Sequence, residues 1–221
     1  MQTFDTPAPI TAVIDIPAGR VQLIAADRGD TAVEIRPADP ASGRDAKAAE
    51  QTTAAYRDGR LTVQGPASNR ILGNSGSVEV TVQLPAGSGV EAKAASAEFR
   101  TVGRLGDITL DAVRATVKID EAATARLIAH DGDVTIGRLG GAADVRTDRG
   151  GIEVAEAMGG TVVLRTQDGD ITIGAAAGVS AALDAGTSLG RVRNALKNTD
   201  GTPGLTIHAT TTRGDITARS L

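Results

Sequence analysis

Four Gly-Asp pairs, Gly106-Asp107, Gly132-Asp133, Gly169-Asp170 and Gly214-Asp215, recur from residue 106 onward in this 221-residue chain. Carboxylates stacked above one another would supply the several oxygens that a hard cation such as calcium requires. The competing role is structural, because an Asp at a corner accepts backbone hydrogen bonds. Gly151 and Arg191 interrupt the column. Calcium-binding β-rolls, moreover, repeat every nine residues with more Gly and Asp per turn. The corner role is therefore expected, with no metal and no cofactor.

A second group, Asp144, Arg146, Asp148, Arg149, Glu153 and Arg165, has the residue types of a polysaccharide-cleaving site, where two carboxylates divide acid and base work. Spacing alone does not bring them together, and paired charges on strand faces commonly form a solvated surface. His130 and His208 both fall in the first strand of a repeat, and neither has a partner His at ligand spacing. No phosphate loop ending in Gly-Lys-Ser/Thr occurs. Arg28-Gly29-Asp30 and Arg213-Gly214-Asp215 spell a short adhesion tripeptide, but each sits where a Gly turn is already required. The expectation is a protein with no catalytic residues that is not an enzyme.

The elements that hold these residues follow a short period. The ends of successive apolar strands fall at Val102, Ile119, Ile136, Val154, Ile173 and Val192, separated by 17, 17, 18, 19 and 19 positions. That is too short for helix-pair repeats and fits one turn of a β-solenoid, each coil stacked about 4.8 Å from the last. Two Phe, one Tyr and no Trp require an aliphatic core, which suits thin regular layers. Alternation within strands places Val134, Ile136, Ile152, Val154, Ile171, Ile173, Ile216 and Ala218 inside, and Thr135, Glu153, Thr172 and Thr217 outside in a column. Glu153 and Arg193 break that column as a Thr ladder for ice.

Before the regular repeat, residues 10–16, 21–25 and 31–36 alternate as strands, with turns at Pro17-Ala18-Gly19 and at 27–30. Residues 38–55 are charged, Ala-rich and poor in β-branched types, and are expected to form a loop with a helical turn or two. Asp58-Gly59 marks a hairpin, and Pro85-Ala86-Gly87 ends the strand 77–84. The chain divides into a β-strand region, 1–88, capping the solenoid of residues 89–221, the two forming one continuous structural unit. The last repeat, 206–221, runs to its end with no polar cap and is expected to be an exposed edge.

The run Ser77-Val78-Glu79-Val80-Thr81-Val82-Gln83-Leu84-Pro85-Ala86-Gly87, followed by Gly-Asp-Ile-Thr-Leu, Gly-Asp-Val-Thr-Ile and Gly-Asp-Ile-Thr-Ile units, resembles the bacterial putative-adhesin family of β-strand-repeat proteins, a domain family of unknown function. The likeness covers most of the chain. It implies an all-β, right-handed β-solenoid, parallel β-helix-like, and in many members a cell-envelope setting. With the period above, about six coils are expected behind the N-terminal cap.

A net charge of −4 provides no basic field for nucleic acid. No apolar run is long enough for a membrane span and no signal-peptide pattern opens the sequence, so a cytoplasmic location is expected, with any envelope association made through a partner. The function expected is a non-catalytic interaction or scaffold protein that binds a partner protein or envelope component, or self-associates through β-edges. A polysaccharide-binding or polysaccharide-degrading β-solenoid is the alternative.

Overall fold

The computed structural model describes residues 1–66, 76–198 and 201–221. Its contacts divide the chain into two compact units, Met1–Ala115 and Thr116–Leu221, whereas the repeat pattern alone suggested a division at 88/89.

In the first unit, β1 (Gln2–Asp5), β2 (Thr11–Ala26) and β3 (Asp30–Pro37) precede the short helix α1 (Gly43–Gln51). β4 (Thr53–Arg57) and β5 (Arg60–Gln64) form a hairpin; β6 (Val78–Pro85), β7 (Gly89–Val102) and the start of β8 (Arg104–Asp131) follow. β2 passes through residues 17–19 as a corner within one long strand, where the sequence suggested a turn between two. Gly19 has φ +137°, and a Cβ there would run into the Val78 carbonyl. The first half of β2 lies parallel between β5 and β7, and its second half parallel between β6 and β7. β3 pairs antiparallel with β6, β1 with β3, and β4 with β5. Asp58 and Gly59 both have positive φ, 51° and 76°, as the tight hairpin turn demands.

Segment 38–55, expected as a loop with a helical turn or two, holds α1 over Gly43–Gln51. Ser42 caps it by accepting a hydrogen bond from the Asp45 N–H, Ala48 is buried, and the Thr52 hydroxyl closes the other end on the Ala48 carbonyl at 2.7 Å. Phe4 and Tyr56 meet at 5.9 Å between ring centroids.

In the second unit the rest of β8 is followed by β9 (Val134–Leu139), β10 (Ala143–Arg149), β11 (Ile152–Ala157), β12 (Gly160–Arg165) and β13 (Ile171–Ala175). Then come β14 (Ala181–Leu189), β15 (Val192–Ala195), β16 (Leu205–Arg213) and β17 (Ile216–Ser220). All pair parallel in two columns. One runs β8-β10-β12-β16-β14 and the other β8-β9-β11-β13-β17-β15. Each coil contributes one strand to each column, a solenoid-like stack.

The order departs from the sequence at one place. The coil of β16 and β17 is inserted between β12/β13 and β14/β15, so residues 205–221 are interior. The exposed edge is β14 and β15, which corrects the expectation that 206–221 would be the edge.

The side-chain alternation holds. Ile136, Val154 and Ile173 are fully buried in one column, with Ala218 beside Ile173. Two of the aligned strand ends behave differently. Phe99 and Thr101 point inward on β7 and Val102 is 38 % exposed, because a slip of one residue in alignment moves a side chain to the opposite face. Val192 is 44 % exposed because β15 has a neighbour on one side only.

Candidate functional site

The corner between the two columns of the second unit is built from a four-residue pattern. Stacked in space, it reads Ala129-His130-Asp131-Gly132, Thr147-Asp148-Arg149-Gly150, Thr166-Gln167-Asp168-Gly169, Thr211-Thr212-Arg213-Gly214 and Thr187-Ser188-Leu189-Gly190. Each coil turns on its Gly. At Gly150, φ is +135° and a Cβ would collide with the Gly132 carbonyl oxygen. The half-buried hydroxyl of each Thr donates to the corner carbonyl of the coil beneath: Thr166 to Gly150 at 3.0 Å, Thr211 to Gly169 at 3.1 Å and Thr187 to Gly214 at 3.0 Å. These carbonyls lie at the bend, where the strand ladder alone would leave them poorly paired.

The Asp that follows the Gly performs the matching task for donors. Asp133 accepts the Gly151 N–H at 2.8 Å, Asp170 that of Asp215 at 2.7 Å, and Asp215 that of Arg191 at 2.9 Å. The Gly-Asp carboxylates are thus joints between adjacent coils. Among the described residues, no group of three or more His, Cys, Asp or Glu has the arrangement of a metal site.

Outside the corner, a shallow recess of about 360 Å³ is lined by His130, Asp148, Arg149, Gln167, Asp168 and Arg213. Its charges alternate from coil to coil and engage one another. Arg149 pairs with Asp131 at 3.4 Å and Arg213 with Asp168 at 2.8 Å. Asp148 takes His130 Nδ1 at 2.7 Å on one oxygen and Gln167 Nε2 at 2.8 Å on the other. The hydrogen bond from His130 holds the Asp148 carboxyl below the ordinary carboxylate range, with Gln167 and the Arg149 charge adding to it.

The polysaccharide-type residues are separated by this geometry. Asp144 and Arg146 form a two-point pair along one strand face, both contacts at 2.9 Å, with Arg165 beside Arg146 in register. Asp148 and Arg149 belong to the corner. Glu153 stands on the other column between Thr135 and Thr172. That outer column reads Lys118, Thr135, Glu153, Thr172, Thr217, Arg193 in spatial order, and it includes the Thr set read from the sequence. His208 lies 3.3 Å from Asp184.

The adhesion-like tripeptides are engaged internally. Arg28 grips Asp30 through two contacts of 2.9 Å. Arg213 is held by Asp168, while Asp215 takes a backbone N–H and Arg193 at 3.3 Å. In the first unit, Arg20 bridges Glu79 at 3.1 Å and Glu98 at 3.0 Å across three adjacent strands. The corner Thr ladder went unread in the sequence, although Thr three positions before four of the five corner glycines, with Ala129 before Gly132, was its signal.

Among solved structures, the chain is similar to a putative adhesin from Bacteroides fragilis NCTC 9343, with TM-score 0.61 and 17 % identity over 100 % of this chain and 96 % of that one. A putative adhesin from Parabacteroides distasonis ATCC 8503 gives TM-score 0.53 and 11 % identity over 98 % and 95 %. At these identities the likeness is one of fold. A comparison with curated proteins finds no match. The family model described as Toastrack DUF4097 matches residues 13–219, the span that contains the corner Gly ladder and both parallel columns, and the chain belongs to that family.

Proposed function

We propose that this chain is a non-catalytic interaction domain, binding a partner protein or envelope component or associating with itself through β-edges. The observation that carries the reading is the edge of β14 and β15, each of which, among the described residues, is hydrogen-bonded to a neighbouring strand on one side only, with Leu189 of β14 66 % exposed. A strand edge is a ready template for another strand. The regular outer column from Lys118 to Arg193 adds a rigid face with side chains at one-coil intervals. The similar structures are putative adhesins, which agrees with an interaction role. No helix among the described residues is long and apolar enough to cross a membrane.

The test is photo-crosslinking in the native host. A benzophenone amino acid replaces Leu189 at the edge or Thr172 on the outer column, and adducts are resolved by mass. Discrete adducts at either position are expected. Absence of adducts at both, with a monomer at every concentration tested by native mass measurement, defeats the reading.

A further inference from the structure

The edge of β14 and β15 has a chemistry that selects among partners. Residues 181–197 contain three basic side chains, Arg191, Arg193 and Lys197, against one acidic, Asp184, in a chain whose net charge is −4. All four residues of β15 are exposed. The Arg191 carbonyl faces β17, where it accepts the Ile216 N–H at 2.9 Å. Because successive residues of a strand direct their backbone groups to opposite sides, Val192 and Asn194 turn their N–H and C=O groups outward. The start of β14 is covered by the chain itself, since the Ala181 N–H donates to the Lys197 carbonyl at 3.0 Å. The open stretch is therefore centred on β15, between Arg191 and Lys197.

We infer that β15 is a docking edge for an extended acidic peptide segment, which adds a strand through the outward backbone groups of Val192 and Asn194 while its alternate carboxylates meet Arg191, Arg193 and Lys197. The inference rests on the interaction reading above and gives it a partner chemistry. A second copy of this edge is a poor occupant, because antiparallel pairing of β15 with itself sets Arg191 and Arg193 against like charges. An anionic polysaccharide matches the charge but has no alternating amide donors and acceptors to continue the ladder. Of the two core-facing positions of β15, Val192 and Asn194, the second is polar. Asn194 stands beside Ala218 and takes the Leu196 N–H at 3.0 Å, which disfavours burial under another apolar coil.

The experiment uses the full chain and a fluorophore-labelled hexapeptide of alternating Glu and Val, read by fluorescence anisotropy at low and physiological salt. Three further probes are the same peptide N-methylated at alternate amides, a Lys/Val hexapeptide and a heparin oligosaccharide. Binding of the Glu/Val peptide is expected, with at least tenfold loss on N-methylation and for Val192→Pro. The latter removes an outward N–H and no ladder bond, and its unchanged melting temperature is checked first. Arg191→Glu is expected to weaken binding severalfold, more so at low salt. Absence of Glu/Val binding, equal binding of the N-methylated or Lys/Val peptide, or heparin binding indifferent to Val192→Pro each overturns the inference. Crosslinked adducts at Thr172 in the face of such a failure would sink this inference alone and leave the interaction reading standing.

Discussion

Replacing Gly150 by Ala tests the corner ladder directly. The residue would be held at φ +135°, a region that costs a non-Gly residue about 1–3 kcal/mol. Its Cβ would also strike the Gly132 carbonyl oxygen, and backbone does not yield as a flexible side chain would. Separating the coils to relieve the clash strains two corner hydrogen bonds, Gly132 N–H to the Arg149 carbonyl at 2.8 Å and Gly150 N–H to the Asp168 carbonyl at 2.9 Å. Each is worth about 0.5–1.5 kcal/mol net. The sum is roughly 2–6 kcal/mol, and at about 2–4 °C per kcal/mol for a chain of this size the melting temperature should fall by at least about 4 °C. Gly186→Ala is the control, because nothing lies within 4 Å of its Cβ position and its φ is not in the glycine region. It should be neutral or stabilise by up to about 1 kcal/mol through the unfolded chain. Both variants are compared by urea and thermal unfolding, followed by far-ultraviolet circular dichroism. A Gly150→Ala protein within about 1 kcal/mol of the parent would refute the claim that close coil spacing makes this glycine obligatory.

Thr166→Val keeps the shape but removes the donor to the Gly150 carbonyl, and should cost about 1–2 kcal/mol by the same unfolding measurements. The Asp148 carboxyl is depressed in the folded state, so its contribution to stability is complete above its unfolded pKa, about 3.9, and disappears as pH falls through the lower folded value. The difference in urea midpoint between parent and Asp148→Asn should therefore be constant above pH ~4 and shrink in more acid solution; a difference that grows on acidification contradicts the sign. Deleting residues 205–221 removes the only strand neighbours that β14 and β15 have among the described residues, so limited proteolysis should cut within 177–198 of the truncated chain while the intact protein resists there. A truncated chain that resists equally would show that β14 and β15 can pair elsewhere.

The repeat, the inward residues Ile136, Val154 and Ile173 and the outer column containing Glu153 were legible because side-chain alternation and a near-constant period both act locally. Val102 was misplaced because an insertion of one residue between coils is invisible to spacing, yet it reverses the face. The helix α1 was legible only as a helical turn or two within an Ala-rich, charged segment, although Ser42 three positions before Asp45 was a capping signal that would have fixed its start. The stacking order was the least legible feature. Every coil offers the same ladder of donors and acceptors, so periodicity identifies coils without saying which one lies beside which. Two local marks point to it in retrospect: the long excursion at 196–204, and Asn194 at a position that is Ile173 or Val154 in coils with neighbours on both sides. The candidate site was readable in its parts, but the convergence of Asp148 with His130 and Gln167 required the register.

The placement of residues 205–221 inside the stack has a consequence for biosynthesis. The ribosome delivers β14 and β15 before the strands that hold them, so that pair must wait, undocked, while β16 and β17 are made. Assembly of this unit cannot proceed as a simple zipper from one end, because β14 and β15 are seated only once β16 and β17 have been made. A chain cut short by a few tens of residues thus fails conspicuously, exposing a loose coil and a raw apolar rim at β12 and β13 to proteases.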